Sequence, residues 1–444
     1  MQCTVVENWL DSLDITYVDQ PKPYEADHEL YPHKQSQPPS PPETVSQNKR
    51  QVMSDDDNGP VPKRQRVQDD PDKTPTAHRI GSRQSKGFPN NNSPATALSA
   101  RSESQSAHSQ TSGRSSPSKQ LASLEITPDW KRPRVLTLNN PQLPSALSEI
   151  LVELQDCSGS GIGVISSDWQ EEILKRSKTE PEFLVFRQHM FASSTERGRF
   201  GPTPSPSDVA RLAYDAAEIQ ATSQNEAAWN MLVHCPLLYK TFDGIGQRQG
   251  QLNGFVPCTT AKIIREHLPL TTQPKMVDFC TYINTEADSI ASEAIEKMRL
   301  VMPCNVINHT DYLSLRNRPI AISIETKAPD KAQSSSAGLQ LATWHSAQWN
   351  FLQDLVSQSG GSMDGLPFLP AVIVQGHRWS FAATTREDQK TVLWLEYQFG
   401  STSDVLGIYK VIWGLQRLSY WVETVYWPWF RKNALSISDG REST

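Results

Sequence analysis

Hydrophobic and polar positions alternate most regularly over Ile320–Lys327, which reads Ile-Ala-Ile-Ser-Ile-Glu-Thr-Lys. Successive side chains of a strand point to opposite faces, so this stretch divides into two rows. One row, formed by Ile320, Ile322, Ile324 and Thr326, is predicted to face the core, and the other has small residues followed by Glu325 and Lys327. The pattern predicts a strand that ends before Pro329 and carries a carboxylate and an ammonium on one side.

A second predicted strand runs from Met276 to Ile283 and contains a single carboxylate, Asp278. A carboxylate in an apolar strand is costly unless it has a partner. If the two strands are neighbours, Asp278, Glu325 and Lys327 can meet at one point. Two carboxylates suit a hard divalent cation such as Mg²⁺, and a lysine beside them could hold a phosphate or an attacking water.

Hydrophobic spacing predicts helices and further strands around this pair. The helices are expected over 147–154, from a capping box at Ser167, from Ser205-Pro206, and over 225–239, 285–302, 335–356 and 404–430. The further strands are expected over 255–264, 371–382 and 391–399. Ile290 is expected on the buried face of the 285–302 helix. The order of elements predicts an α/β fold with a mixed sheet and helices packed on it.

Residues 1–123 differ in composition from the rest, with abundant Pro, Ser, Gln, Asn and Asp and few apolar residues. Such a segment cannot bury enough surface to offset its chain entropy, so we expect a disordered tail. Within it, Val5–Ile15 could form a short amphipathic helix, either as a recognition segment or as an edge of the fold. The chain is therefore divided into a tail over 1–123 and a folded domain over 124–440.

Composition narrows the class of protein. The net charge of −6 and a sequence pI near 6.0 give no global basic field, so any surface that binds nucleic acid is local. Six scattered cysteines with no Cys-x-x-Cys pair indicate neither a zinc site nor a disulfide framework.

No apolar run is long enough for a membrane span and no signal pattern opens the chain, so we expect a soluble intracellular protein that does not enter a membrane. Nothing indicates the oligomeric state.

Two basic clusters stand in the tail, namely Lys49-Arg50 and Lys63-Arg64-Gln65-Arg66. Paired clusters in a flexible segment look like a bipartite nuclear import signal, which predicts binding to the import machinery and a nuclear location. The alternative is that short basic clusters arise by chance in a polar tail. A second candidate signal stands at the entrance to the folded domain, at Lys131-Arg132-Pro133-Arg134.

Asp278 on one strand, Glu325-Thr326-Lys327 on the next and Gln340 on a following helix together resemble the PD-(D/E)XK nuclease superfamily. More narrowly, several segments resemble the PD-(D/E)XK nuclease-like domain of many filamentous-fungal proteins. These segments are Glu226-x-x-Trp229-Asn230, Asn308-x-Thr310, Pro319–Lys327 and Leu339-Gln-Leu-Ala-x-Trp344. The likeness covers most of 144–433 and none of the tail.

The resemblance implies a four-stranded mixed sheet flanked by helices, with Mg²⁺ (or Mn²⁺) held by Asp278 and Glu325. It also implies that Lys327 is the catalytic lysine near the attacking water, Glu226 the acid of the first helix and Gln340 a helper polar group. The sequence departs from the pattern in two places. Valine replaces the proline before Asp278, and the gap between Asp278 and Glu325 is long enough to require the 285–302 helix as an insertion.

Each of these residues also has a structural interpretation. Glu325 and Lys327 could form cross-strand ion pairs on a solvated face. Glu226 could cap or pair on a helix surface, and Gln340 could simply be exposed helix. His234 and His345 are interpreted as structural histidines, and core packing is the favoured interpretation of the aromatic residues of the last helix, although they could stack on bases.

Two functions follow from these interpretations. The first is a nuclear, metal-dependent nuclease that hydrolyses phosphodiester bonds of DNA. The second is a catalytically inactive module that keeps the fold and binds nucleic acid or a protein partner, because fold alone does not fix function.

Overall fold

The computed structural model describes residues 129–242, 252–269, 275–286, 288–329 and 334–438. The tail over 1–123, the predicted helix over Val5–Ile15 and the tail's basic clusters lie outside the described residues, so those predictions stay predictions. In the part of the chain that is described, no helix is both long and apolar enough to cross a bilayer.

A mixed sheet organises the folded domain. Among the described residues it contains seven strands in the order β1-β9-β8-β7-β6-β5-β4. The pairs β6–β7 and β1–β9 are parallel, and the other neighbours are antiparallel. The strands are β1 Arg134–Val135, β4 Asn253–Pro257, β5 Phe279–Ile283, β6 Ile320–Lys327, β7 Leu369–Gln375, β8 Arg378–Glu387 and β9 Lys390–Ser401, while β2 Ile165–Ser166 and β3 Phe191–Ala192 form a separate parallel pair. The expected mixed sheet is present, and it is larger than the four strands implied by the resemblance.

Helices flank this sheet as the hydrophobic spacing predicts. They are α1 Ser145–Gly159, α2 Gln170–Arg176, α3 Ser194–Gly198, α4 Pro206–Ala221, α5 Glu226–Trp229, α6 Cys235–Phe242, α7 Ser289–Arg299, α8 Ser334–Ser359, α9 Val405–Trp421 and α10 Trp427–Ala434. A π-helical turn, Asn230–His234, joins α5 to α6, and another, Val422–Tyr426, joins α9 to α10. The long α8 packs on β6 and its neighbours.

One predicted strand proves to be two. The stretch 371–382 folds into a hairpin in which β7 ends at Gln375 and β8 begins at Arg378. Gly376 makes the turn with a φ of +54°, which favours glycine, and a Cβ added there would lie 2.7 Å from Pro329 Cγ. The prediction of a single strand was wrong because it continued the alternating pattern across Gly376, although glycine is itself a turn signal.

The insertion between β5 and β6 is helical, but it is shorter than predicted. Asp288 caps α7 by accepting a hydrogen bond from the Ala291 N–H. The buried face of α7 carries Ala291 and Ile295, whereas Ile290 is 63 % exposed. The placement of Ile290 in the core was therefore wrong, since the helix turns that position toward solvent.

The second candidate import signal lies in the folded domain. Lys131 pairs with Glu387 at 3.1 Å and with Asp388 at 2.8 Å. Arg134 begins β1 and pairs with Glu387 at 2.5 Å. These contacts hold an edge strand against β9, so this cluster is not part of a free basic tail.

The first residue of β6 is fixed by polar side chains from three elements. The Ile320 N–H donates to Asn308 Oδ1 at 2.9 Å, and the Ile320 carbonyl accepts from Gln348 Nε2 and Tyr426 Oη, each at 3.1 Å. Asn308 and Gln348 are both buried. Because buried backbone groups need such partners, these contacts fix where β6 starts, and with it the position of its functional end.

The aromatic residues of α9 and α10 pack in the core. Trp413, Trp421, Trp427 and Trp429 are all buried, and Trp421 stacks on Phe368 with ring centroids 4.4 Å apart. The core interpretation of these residues is confirmed, since a buried ring is not available to stack on a base.

Candidate active site

Asp278 and the end of β6 come together because β5 and β6 are antiparallel neighbours. Phe279 pairs with Ile324, and the Asp278 N–H donates to the Ile324 carbonyl at 3.1 Å. The Asp278 carboxylate turns back onto β6, where Oδ2 accepts from both the backbone N–H and the hydroxyl of Thr326, each at 2.8 Å. Thr326 therefore orients the Asp278 carboxylate.

Glu325 is the least solvated group of the site. It has 0 % exposure, and neither carboxylate oxygen accepts a hydrogen bond of good geometry within the described part of the chain. Its close partner is Lys327, whose Nζ lies 2.7 Å from Oε1 and whose side chain is 11 % exposed. The solvated-face interpretation is thus wrong, because this carboxylate is held in the protein interior with one cation beside it.

Lys327 joins the strand to the first helix of the site. Its Nζ donates to the Thr326 carbonyl at 2.8 Å and to Glu226 Oε2 at 3.4 Å. Glu226 is the first residue of α5, whose N-cap Asn225 accepts from the Ala228 N–H at 3.0 Å. The cap sets where the helix begins, and the first residue of that helix, Glu226, contacts Lys327 at the end of β6.

Burial and charge shift the ionisation of these groups in opposing ways. Burial raises the pKa of Glu325 well above its ordinary value, and Lys327 offsets this only in part. Burial also raises the pKa of Glu226, again against the influence of Lys327. For Lys327, burial alone would lower the pKa, but the neighbouring Glu325 and Glu226 carboxylates raise it above its ordinary value. The site therefore keeps a charged ammonium next to a carboxylate that lacks adequate solvation.

Gln340 lies next to this site without touching its charged groups. Its Nε2 donates to the Met276 carbonyl at 3.2 Å, and its Oε1 accepts from Ser336 Oγ at 3.2 Å. It ties α8 to the segment that leads into Asp278. Its hydrogen bond to Met276 supports a role in positioning Asp278, in place of direct participation in the reaction.

The histidines are held by structural contacts. His234 lies 2.9 Å from Asn230 Oδ1 through Nδ1 and 3.1 Å from the Gly376 carbonyl through Nε2, and burial lowers its pKa to about 4. His345 Nδ1 lies 2.9 Å from Thr384 Oγ1, and burial lowers the pKa of this ring to about 3. Both rings are buried and neutral, and their contacts are with groups other than the carboxylates of the site.

Thr326 is the residue of this site that sequence reasoning missed. It was placed on the core row of β6 because it follows three isoleucines with period two. A local signal was present, since it is the one polar residue of that row. Its partner, however, comes from a strand 48 residues earlier, and spacing alone does not identify such a contact.

The comparisons with known proteins bear on this geometry. A family model described as the PD-(D/E)XK nuclease superfamily matches residues 173–427, which is more than half of the chain. The chain belongs to the PD-(D/E)XK nuclease superfamily. No curated protein matches it, and no solved structure does. The match does not single out a fungal branch, so that narrower resemblance stays a prediction.

Membership in the PD-(D/E)XK superfamily implies a divalent metal ion, and the described residues offer an incomplete ligand set. They contain no group of three or more His, Cys, Asp or Glu side chains arranged to hold an ion. They do contain a fully buried carboxylate, at Glu325, whose one close partner is the Lys327 ammonium, beside a second carboxylate at Asp278. Oxygen donors of this kind fit a hard cation whose remaining positions are filled by water and phosphate.

We predict that Thr326→Val destabilises the folded state because it removes the hydrogen bond from the Thr326 hydroxyl to Asp278. The substitution keeps the shape but removes a hydroxyl that donates to a carboxylate, so the free energy of unfolding should fall by about 1–3 kcal/mol. Urea unfolding measures this loss. In an Asp278→Ala background the same substitution should cost much less, because the acceptor is gone. An equal cost in both backgrounds would show that Thr326 does not act through Asp278.

Proposed function

We propose that this protein is a metal-dependent nuclease that hydrolyses phosphodiester bonds of DNA. The observation that carries the proposal is the buried Glu325 carboxylate, whose close partner is the Lys327 ammonium and whose oxygens accept no hydrogen bond of good geometry within the described part of the chain. A buried charge without full compensation destabilises a fold, and such groups cluster at functional sites. Superfamily membership supports a nuclease, and the finer assignments are argued from the residues below.

Asp278 and Glu325 are the proposed metal ligands, with Mg²⁺ or Mn²⁺ as the ion. When bound, such an ion would stabilise charge on the phosphate and lower the pKa of a bound water. Both carboxylates approach from adjacent strands, and the two hydrogen bonds from Thr326 fix the orientation of Asp278. A fixed ligand requires little reorganisation when the ion and substrate arrive.

Lys327 is the proposed catalytic lysine. Its ammonium is held by Glu226 and Glu325 and is kept charged by them, so it can donate to a phosphate oxygen or to the attacking water. Glu226 positions this ammonium from α5. Gln340 acts further out, through the segment before Asp278.

The charge of the site explains why a metal ion is part of the proposal. Glu226, Asp278 and Glu325 are acidic, and among the described side chains Lys327 is the one base that pairs with Glu226 and Glu325. With all four groups ionised the site would repel a polyanion. A divalent cation held by Asp278 and Glu325 would reverse this repulsion and would give Glu325 a second positive partner beside Lys327.

The nuclear location is a separate proposal that rests on the tail sequence. Lys49-Arg50 and Lys63-Arg64-Gln65-Arg66 would bind the import machinery, and a nuclear location favours DNA as the substrate. Replacing Lys63, Arg64 and Arg66 with alanine should move a fluorescent fusion of the full chain from nucleus to cytoplasm. A fusion that stays nuclear after this replacement would contradict the signal.

A second candidate function has an observation in its favour. Lys327 lies 2.7 Å from Glu325, and an internal ion pair of this kind could stabilise a module that binds nucleic acid or a protein without cutting. In that case the carboxylates would serve the fold alone, and neither metal ions nor cleavage would depend on them.

We predict that the purified full chain cleaves single- or double-stranded DNA when Mg²⁺ or Mn²⁺ is present, with RNA of the same sequences as the comparison substrate. Glu325→Gln and Lys327→Ala should each reduce the rate by at least about 100-fold, since each removes a group that acts on the transition state. The assay follows labelled substrates on denaturing gels, and circular dichroism confirms that each variant is folded.

The matched control for this assay is Glu423→Gln. Glu423 is a surface carboxylate whose pKa is also raised by partial burial, but it accepts a hydrogen bond from Asn253 Nδ2 at 2.8 Å and belongs to the turn between α9 and α10. It should keep wild-type activity. Cleavage that survives both site substitutions would contradict the assigned site. No cleavage by the folded wild-type protein would favour the binding module.

A further inference from the structure

A row of polar side chains crosses the sheet in line with Lys327. Lys327 pairs with Gln375 of β7, Gln375 pairs with Arg378 of β8, and Arg378 pairs with Ser401 of β9. Residues directly opposite one another on neighbouring strands place their side chains on the same face. Lys327, Gln375, Arg378 and Ser401 therefore form one row, which we call the phosphate row.

The phosphate row differs from the positions beside it. Gln375, Arg378 and Ser401 are at least partly accessible and Lys327 is buried beside them, whereas the next residues along two of the strands, Val374 and Trp379, are completely buried. Arg378 is the exposed cation of the row, and its side chain makes no hydrogen bond or ion pair across the described part of the chain. A guanidinium that has no partner among the described side chains is available to an external anion.

The position of Arg378 relative to Lys327 is fixed by the hairpin turn. The Gly376 N–H donates to the Lys327 carbonyl at 2.9 Å, and the Gly376 carbonyl lies 3.1 Å from His234 Nε2. The close approach of Gly376 to Pro329 leaves no space for a side chain there. The turn is thus attached to the end of β6, and Arg378 extends from a rigid element.

The spacing suits the backbone of a nucleic acid. Neighbouring strands lie about 4.8 Å apart, so the backbones at Lys327 and Arg378, two strands apart, are separated by about 10 Å. Since nucleotides of a duplex strand rise about 3.4 Å each along the helix axis, phosphates a few nucleotides apart are within reach of two side chains on backbones with this separation. Arginine also forms paired hydrogen bonds with phosphate oxygens, which a lysine does not.

We propose that Arg378 binds a phosphodiester of the nucleic-acid backbone a few nucleotides from the one held at Lys327. This inference rests on the proposed nuclease function and adds a substrate-binding position to it. Arg378 positions the strand and touches no reacting atom. Since a phosphate contact carries no sequence information, it should contribute equally to binding of different sequences.

The test compares two full-chain variants that lose the same charge, Arg378→Gln and Arg316→Gln. Arg316 is also exposed, but it precedes β6 at the opposite end of that strand, whose first residue, Ile320, is seven residues and about 23 Å from Lys327. Fluorescence anisotropy measures binding of labelled single-stranded and duplex DNA in the presence of Ca²⁺, which takes oxygen ligands as Mg²⁺ does, across a series of salt concentrations. Denaturing gels of the same samples check that the DNA stays intact.

Arg378→Gln should weaken binding about 3- to 10-fold for unrelated sequences, and it should reduce the slope of log affinity against log salt by about 0.7–0.9. Arg316→Gln should match the wild type in both quantities. Equal affinity and slope for the two variants, with DNA still bound, would overturn the role of Arg378 and leave the proposed function intact. A wild-type chain that binds no DNA at any salt concentration would overturn both.

Discussion

The buried Glu325 carboxylate is the constraint on which the rest of this structure depends. Moving a carboxylate out of water costs several kcal/mol in real proteins, and one ammonium recovers only part of that cost. Glu325 has no exposure, and burial raises its pKa in spite of Lys327. The fold must therefore hold Asp278, Lys327 and Glu226 in place around it, and the surrounding elements are arranged to do so.

Both ends of β6 are accordingly fixed by polar contacts. At the start, Asn308, Gln348 and Tyr426 bind the peptide groups of Ile320. At the end, the Gly376 turn bonds the Lys327 carbonyl. A strand held in this way cannot slip in register, and a slip of one residue would turn Glu325 into the apolar layer on the opposite face.

Most of the correct sequence predictions concern helices and strands, and they came from the local periodicity of hydrophobic residues. The alternation over Ile320–Lys327 predicted β6, and the start of α4 followed from Ser205 and Pro206. The sequence also showed that Asp278 is a carboxylate in a strand and needs a partner, and that it would meet Glu325 and Lys327 if the two strands were neighbours. These features depend on residues a few positions apart, where the period of the backbone determines which side chains share a face.

Contacts between distant parts of the chain were either predicted wrongly from the sequence or predicted only from the family resemblance. The contact between Glu226 and Lys327 joins residues 101 positions apart, and the resemblance alone placed Glu226 in the site. Thr326 was assigned to the core, and Ile290 was assigned to a buried face that the packing of α7 places elsewhere. Periodicity describes which residues share a face, while tertiary packing decides what that face meets.

The most direct measurement is the effect of Mg²⁺ or Mn²⁺ on the unfolding of the wild-type full chain, Glu325→Gln and Glu423→Gln. An ion that binds only the folded state, at 10 to 100 times its dissociation constant, should stabilise the wild type by about 1.4–2.7 kcal/mol. Glu423→Gln should show the same gain, and Glu325→Gln should show almost none. No gain in the wild type, or an equal gain in Glu325→Gln, would contradict the account of Glu325 as a metal ligand.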